Sequence, residues 1–587
     1  MKLYIDIVSQ GNIIWFLKRK FCIKIPKFRH GRVKVRTTAE QEEIKKVEKQ
    51  KKVMEYKTGI TLVFRKRKDE IWDDEILLVT EKMLLRNPDI YTLWNTRREA
   101  LMKNNWTKEE YEQHLQKELT LTENCLRENP KSYSVWHHRY WVFDHLSEPN
   151  YETEVLLCGK FLNIDERNFH CWDYRNFIVK MAGVSAAEEF EFSTAKIINN
   201  FSNYSSWHYR SKILSKMFPD DKGHLSIKAD KCKEDSKSSS KLQDCYIIIF
   251  SIYYKNISDT SAWFYQRWLL ESCKTSRSKI WRAYLTEIEA TIVFHDHISI
   301  PSSSVCLFIN GEVLDCQWIS CNDQKFSKVW ETKFNISLNI CEDSDISLKF
   351  YDNIYPFYRF NTSWICETKV SEMEKCNEVQ LREQLVNYKQ LFEMERQNKW
   401  ALLIGIFLMR NIDFAVFYPN ILNDLELLWK IDKLRYNYYK DLRSECLIDS
   451  YLHNMWQEDN EDQRRNRADL SGLGLTTLCN ENYFAFLEEI NLGANNLGNS
   501  LHRLYAFREC TRLSLSSNNI KSISKFPTLH KLQVLSLRNN GISSIKEVLD
   551  LVKRHNLLKL DIRENLVCEF GVKEKIEAIS SRVNVKI

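Results

Sequence analysis

Asn129-Pro130-Lys131-Ser132-Tyr133-Ser134-Val135-Trp136-His137-His138-Arg139 is the stretch that decides the fold. Tyrosine, tryptophan and arginine stand three residues apart. At about 100° per residue these positions share a narrow arc of an α-helix. The Asn-Pro ahead of them signals a turn followed by a helix start. The pattern recurs along the chain. Pro88, Tyr91, Trp94 and Arg97 come before it. Trp172 with Arg175 follows, Phe169 standing in the tyrosine place. Tyr204, Trp207 and Arg210 come next, then Trp263, with Thr260 in the tyrosine place and Arg267 displaced by one. The tryptophans are 42, 36, 35 and 56 residues apart. A period near 35 residues is that of a helical-hairpin array. On this reading the aromatics fill the groove against the partner helix. Each arginine stacks on a ring or pairs with a carboxylate of the next repeat.

Other segments punctuate the array. Thr37 to about Arg67 reads as a charged helix, solvated or facing a partner. Lys228 to Lys241, rich in Lys, Ser and Asp, reads as a polar loop that stretches the last gap. From about Ala290 the periodicity changes to alternation. Val305 to Ile309, Asn310-Gly311 and Val313-Leu314 predict a tight hairpin. Phe334 to Ile340 and Ile346 to Tyr351 alternate too, which suggests a small β-sandwich. Helical periodicity returns at Val379, and Asn398-x-Trp400 looks like a sixth, eroded repeat. The sandwich is then an insertion.

The end of the chain carries a second repeat. Leu487-x-x-Ile490-x-Leu492-x-x-Asn495 is followed by equivalents ending in Asn518, Asn540 and Asn565, at spacings of 23, 22 and 25. This is the leucine-rich repeat: short strands stack into a parallel sheet and the asparagines tie the turns. Ala468-x-Leu470 lies one period earlier and reads as a cap. Leucine-rich repeats are usually binding surfaces, not catalysts, and if this domain is accessory, deleting 465–587 should leave a heterodimer intact.

The fold class is therefore multidomain and mainly α: an α-helical hairpin array (α-solenoid crescent), an inserted immunoglobulin-like β-sandwich and a C-terminal leucine-rich-repeat domain. The expected boundaries are a basic extension at 1–29, helical repeats one to five over 30–288, the β insert over 289–378, repeat six and the end of the helical domain over 379–452, and leucine-rich repeats over 465–587.

Composition excludes several classes. The 587 residues carry 86 basic and 79 acidic side chains, a net charge of +7, too balanced to argue for nucleic acid. Seventeen scattered cysteines, with no C-x-x-C pair, fit neither a disulfide framework nor a zinc finger and read as reduced cytoplasmic thiols. No apolar run nears the roughly 20 residues of a membrane span. The longest, Ala401 to Met409, reads as core. Residues 1–29 place the charges after the apolar run, the reverse of a secretory signal, and are expected to be a disordered extension.

Three segments resemble protein prenyltransferase α subunits: Asn129 to Arg139, Asp165 to Arg175 and Asn203 to Arg210. The order of helical repeats, β insert and leucine-rich repeats resembles the Rab (type II) geranylgeranyltransferase branch of that family. The resemblance runs from about His30 to the C-terminus. It implies a heterodimer in which this chain wraps a β subunit that holds the catalytic zinc and the lipid pocket. It implies transfer of geranylgeranyl from geranylgeranyl diphosphate to C-terminal cysteines of Rab GTPases, presented by a Rab escort protein. It also assigns residues. Lys131 falls on the family lysine that reaches toward the diphosphate, and Tyr133 on a tyrosine near it. Asn168 and His170 match neighbours at the next turn, as substrate-binding residues. His30, in His30-Gly31-Arg32-Val33-Lys34, falls on a histidine that can reach the β-subunit zinc. Arg29 stands in the place of the usual methionine, and a chain threaded through would have to fit where a terminus did. Trp94, Trp136, Trp172, Trp207 and Trp263, with Arg97, Arg139, Arg175 and Arg210, are structural, as is Tyr91. His137 and His138 read as packing residues. The competing reading is a non-catalytic scaffold of two repeat types. Against it, tetratricopeptide arrays put alanine and glycine at helix contacts, and this chain does not. The shared farnesyl/type I α subunit is disfavoured by the leucine-rich repeats.

Overall fold

The structure, a computed structural model, describes residues 39–218, 260–272, 280–300, 304–314, 316–334, 338, 340–351, 353–360, 363–367, 378–457, 466–568 and 571–587. The extension at 1–29, His30 and the loop at 228–241 lie outside these. The chain divides into two compact units. One runs to Asn163 and resumes over Asn168–Ala182; the other takes Ile164–Arg167 and everything from Gly183.

The first unit opens on the charged helix Ala39–Lys68. Lys66 near its end is buried between Asp73 and Glu75, which anchors the helix to the start of the array. Helical hairpins follow. Asp74–Arg86 pairs with Tyr91–Lys103, and Lys108–Glu128 with Tyr133–His145. Tyr151–Ile164 is followed by Phe169–Met181. Asp73 caps the first of these helices, and a Thr107/Glu110 capping box starts Lys108–Glu128. Trp94, Trp136 and Trp172 are buried, as the spacing requires.

The aromatics three residues earlier are not. Tyr91 and Tyr133 are 68% and 69% exposed, and Phe169 and, in the second unit, Tyr204 are exposed as well. The expectation that these rings fill the groove is thus corrected, and Tyr91 is not a core residue. Each is the first residue of its helix. Its side chain lies over the turn before it, where the partner helix has already ended.

The second unit continues with Ala186–Asn199 and Tyr204–Met217, then Thr260–Ser272, which carries Trp263. Helices Glu378–Met394 and Lys399–Ile431 pack next to it through Trp263 and Tyr388. Asn398 caps the latter helix by accepting from the Trp400 and Ala401 amides. Lys399–Ile431 is long and apolar enough to cross a membrane by length and composition. It is two helices, broken at Asp413, whose backbone is extended. Ile404, Ile406, Leu408 and Met409 on its first half are buried.

The β region comprises two antiparallel sheets around one apolar core. Strands β1 (Ile280–Leu285), β2 (Glu289–Ile298), β5 (Ile319–Ser320), β6 (Ser327–Lys333), β9 (Tyr358–Phe360) and β10 (Ser363–Glu367) form the larger sheet, in the order β5-β6-β2-β1-β10-β9. Strands β3 (Val305–Ile309), β4 (Glu312–Leu314), β7 (Ile346–Phe350) and β8 (Asn353–Pro356) form the smaller. Phe294 and Leu285 meet Leu307, Leu348 and Phe350 between them. The hairpin at Asn310-Gly311 is as read: Phe308 faces Val313, and both turn residues have positive φ, 51° and 83°. Two expectations need correction. The sheet begins at Ile280, ahead of 289, because β1 is an interior strand whose near-continuous burial hides its alternation. Strand β6 ends at Lys333; of the alternating stretch Phe334 to Ile340, only Phe334, Leu338 and Ile340 are among the described residues, and these lie outside strands and pack against the core.

Six parallel strands, β11 (Arg467–Asp469), β12 (Glu489–Asn491), β13 (Arg512–Ser514), β14 (Val534–Ser536), β15 (Lys559–Asp561) and β16 (Asn584–Lys586), form the leucine-rich-repeat sheet. Ala468 is in the ladder, paired with Ile490, and not merely a cap. Asn495, Asn518, Asn540 and Asn565 each donate to a carbonyl one repeat back: Leu470, Leu492, Leu515 and Leu537, at 2.8–3.0 Å. The domain shares its core with its neighbours. Its apolar core runs on through Leu447, Ile448 and Leu452 of helix Tyr436–Gln457 and through Trp281, Val293 and Val329 of the sandwich. Tyr451 caps the sheet edge, its hydroxyl accepting from the Asp469 amide at 2.9 Å.

Candidate active-site turn

The hairpin turns are built alike. Trp94 donates its indole N–H to the Pro88 carbonyl, Trp136 to that of Pro130 and Trp207 to that of Phe201, at 2.8, 2.8 and 2.9 Å. The tryptophan thus fixes the turn as well as the core. The residue capping each helix start reaches back to the preceding turn. Ser132 donates to the Pro88 carbonyl at 3.3 Å, Asn168 to Pro130 at 2.7 Å and Asn203 to Glu166 at 2.9 Å. Pro88 and Pro130 therefore each receive two donors on one carbonyl.

Behind the turns lie buried ion pairs. Arg97 donates Nε to Glu118 at 2.8 Å and binds Thr80 at 2.7 Å. Arg139 meets Glu154 at 3.0 Å and Thr122 at 2.8 Å. This realises the expected pairing of arginine with a carboxylate of the next repeat. Arg210 shows the alternative, its guanidinium 3.7 Å from the Phe190 ring centre. After Trp136, Trp172 and Trp207 the residue two further on joins a buried carboxylate: His138 to Glu118 at 2.9 Å, Tyr174 to Glu154 at 3.0 Å and Tyr209 to Glu189 at 2.7 Å. Burial alone would raise the Glu118 carboxyl, but Arg97 and the His138 hydrogen bond outweigh it and hold it at about 2. Burial lowers the His138 imidazole, against the pull of Glu118. His138 is a packing residue, as read. The carboxylates and threonines were missed in the sequence. The signal was there: Thr80 and Thr122 each stand 17 residues ahead of their arginine.

The fifth repeat departs from the pattern. Gln266, not arginine, takes the buried place after Trp263, bonded to Gln384 at 3.3 Å and to the Tyr388 hydroxyl. Arg267 points outward over Phe407, 4.8 Å from the ring centre.

Of the sequence-assigned site residues, four share one place in the first unit. Lys131 lies exposed in the turn before helix Tyr133–His145. Its amide donates to Asn129 Oδ1 at 3.2 Å, while Asn129 Nδ2 donates to Asp89 at 3.1 Å. Tyr133 stands edge-on to His170, ring centres 4.0 Å apart. Phe169 packs on His170 at 3.9 Å, which the sequence marked only as a substituted tyrosine. Burial lowers the His170 imidazole; Asp173 opposes this and Lys131 adds to it. Asn168 is only 1% exposed. Its Oδ1 accepts from the Cys171 amide at 3.3 Å, capping the helix, and its Nδ2 goes to Pro130. The cluster thus offers an outward lysine and an outward phenol, packed against a buried imidazole. The first turns of two helices lie beneath them, where partial positive charge gathers.

Among the described residues no three His, Cys, Asp or Glu side chains come together to hold a metal. Burial pushes the Cys125, Cys366 and Cys446 thiols up to about 12, away from the thiolate that zinc binds.

The family model "Protein prenyltransferase alpha subunit repeat" matches residues 72–104, 115–146 and 186–217, and "Leucine Rich repeats (2 copies)" matches 508–551. The "Geranylgeranyl transferase type-2 subunit alpha" of Sus scrofa is 32% identical over 593 residues, covering 94% of this chain and 99% of that one. That of Rattus norvegicus is 31% identical, covering 93% and 98%. That of Saccharomyces cerevisiae is 31% identical over 285 residues, covering 47% of this chain and 83% of its own.

Proposed function

Because this chain belongs to the geranylgeranyl transferase type-2 α-subunit family, we propose that it is the α half of a heterodimer that transfers geranylgeranyl from geranylgeranyl diphosphate to C-terminal cysteines of Rab GTPases presented by an escort protein. The observation that carries the chemical part is the exposed pair Lys131 and Tyr133 at one helix start, with buried His170 of the next helix against the Tyr133 ring. In the reaction a carbon–oxygen bond to diphosphate breaks and a carbon–sulfur bond forms. The diphosphate leaves with the electron pair, so its charge grows in the transition state. Lys131 is a mobile point charge suited to meet that growth from outside the lipid pocket. Tyr133 adds a hydroxyl donor. His170, kept neutral, does not compete for the anion as a second cation and holds the Tyr133 ring.

The exposed first-turn aromatics Tyr91, Tyr133 and Phe169 are placed to meet a second subunit, since exposed aromatic side chains characterise protein-binding surfaces. The zinc of the family belongs, on this reading, to that subunit, where it would lower the pKa of the substrate cysteine so that it reacts as a thiolate; His30 is its proposed contact from this chain. The cytoplasm is the proposed compartment.

Co-expression with a matching β subunit, followed by lipid transfer to a Rab with its escort, tests the reading. Lys131→Ala is expected to lower kcat on the order of a hundredfold while the heterodimer still forms. An unchanged rate removes Lys131 from the chemistry. Transfer by the isolated chain refutes the division of labour.

A further inference from the structure

We propose that Asn168 is a positioning residue for Lys131, acting through the Pro130 carbonyl. The inference rests on the reading that Lys131 meets the diphosphate. Lys131 is exposed, and its four-carbon stem is flexible. A flexible cation contributes most when its backbone is fixed, because misplacement of about 1 Å can cost two orders of magnitude in rate. The turn carrying Lys131 is fixed from both sides. From the preceding hairpin, Asp89 holds Asn129, and the Pro88 carbonyl holds Ser132. From its own helix, Trp136 holds the Pro130 carbonyl. From the following hairpin Asn168 reaches in, with a 2.7 Å bond to that same carbonyl. Pro130 is the residue immediately before Lys131, so this bond sets the orientation of the peptide from which the lysine departs.

The Asn168 side chain is buried, and both of its ends are engaged within the protein. It therefore acts through the turn and does not touch the diphosphate. That departs from the substrate-binding role suggested by the resemblance. The same bond occurs at the other turns, made by Ser132 and Asn203. Only at Asn168 is the held peptide followed by the exposed lysine. Ser132 also shows that a serine can make the bond.

The experiment uses the heterodimer with geranylgeranyl diphosphate and a Rab with its escort. Asn168→Ala is expected to lower kcat about tenfold with the KM for the diphosphate little changed, and Asn168→Ser to recover most of the loss. In a Lys131→Ala background, Asn168→Ala is expected to change the rate less than twofold, because the group it positions is gone. Equal losses in both backgrounds overturn the proposal and leave Lys131 in place. So does an Asn168→Ala enzyme at full rate. If Lys131→Ala alone keeps full activity, the catalytic reading falls first and this inference with it. Should Asn168→Ala fail to fold, Trp136→Phe removes the other donor to the same carbonyl while keeping a ring. The same non-additivity with Lys131 is expected, and simple additivity overturns the proposal.

Discussion

Arg97 closes on Glu118 across the boundary between the first two described hairpins, with both side chains almost wholly removed from solvent. Glu118→Gln leaves the guanidinium buried beside a neutral partner. The expected loss is about 3–5 kcal/mol, the cost of breaking a buried pair from one side. Replacing both residues by apolar ones of similar volume is expected to cost less. The pair also sets an acid limit. The Glu118 carboxyl sits at about 2 in the folded chain, below its ordinary value of 4.5. A depressed folded value means that the stabilisation is complete above the ordinary value. It is lost as pH falls from about 5 toward 2, on the order of 3 kcal/mol in all. His138 works in the same direction: its folded value is also depressed, so protonation on the acid side opposes folding. Urea midpoints of the first unit's helices, followed from pH 7 to pH 3, should fall more steeply in the native protein than in Glu118→Gln.

Gln266 gives a prediction opposite to what the repeat pattern suggests. Gln266→Arg would complete the motif after Trp263. Among its partners are the Gln384 amide and the Tyr388 hydroxyl, and neither of these is a carboxylate. A buried guanidinium without a counter-charge is expected to destabilise by roughly 3 kcal/mol or more, where Gln266→Leu costs about 1–3 kcal/mol for the polar groups it strands. Thermal melts of the two variants decide it. A Gln266→Arg protein as stable as the native one contradicts the assignment.

How far the fold could be read follows from where the chemistry is local. The tryptophan spacing, the Asn310-Gly311 turn and the asparagine ladder depend on residues close in sequence, and each was visible. The partners of Arg97 and Arg139 lie 21 and 15 residues away on another helix, so their identity required the packing. Strand β1 was missed because a strand covered on both faces loses its alternation. The exposed tyrosines were misread because helical periodicity gives direction around the axis but not distance from the helix end. At the candidate site, Lys131 and Tyr133 could be placed by resemblance. The bond from Asn168 to Pro130 joins residues 38 apart and exists only once the two hairpins have packed.

Tyr91 separates docking from stability. Since the ring is 68% exposed, Tyr91→Ala is expected to change stability by no more than about 0.5 kcal/mol. On the heterodimer reading it should still weaken binding to the β subunit, by about 1–2 kcal/mol if the ring is an interface anchor. Titration calorimetry against the β subunit, beside a thermal melt of the free chain, reads both quantities. A large melt shift with unchanged affinity would return Tyr91 to the core.

The leucine-rich repeats yield the last expectation. Truncation before Arg467 removes a domain whose core continues into the rest of the chain. It would uncover Leu447, Ile448 and Leu452, together with Trp281. Lys531 and Arg508 would also leave Glu289 and Glu331 of the sandwich unpaired. Apolar surface of that extent promotes association. The truncated chain is therefore expected to aggregate or to lose several degrees of thermal stability. A milder test keeps the domain. Asn518 is fully buried; its side chain donates to the Leu492 carbonyl at 2.8 Å and accepts from the Leu497 amide at 3.2 Å. Asn518→Ala strands both backbone groups and should cost about 2–4 kcal/mol. If the sandwich and the repeats share one core, hydrogen exchange in β2 and β6 should quicken along with that in β12 and β13. Faster exchange confined to the repeats would show that the two fold independently, and truncation would then be harmless.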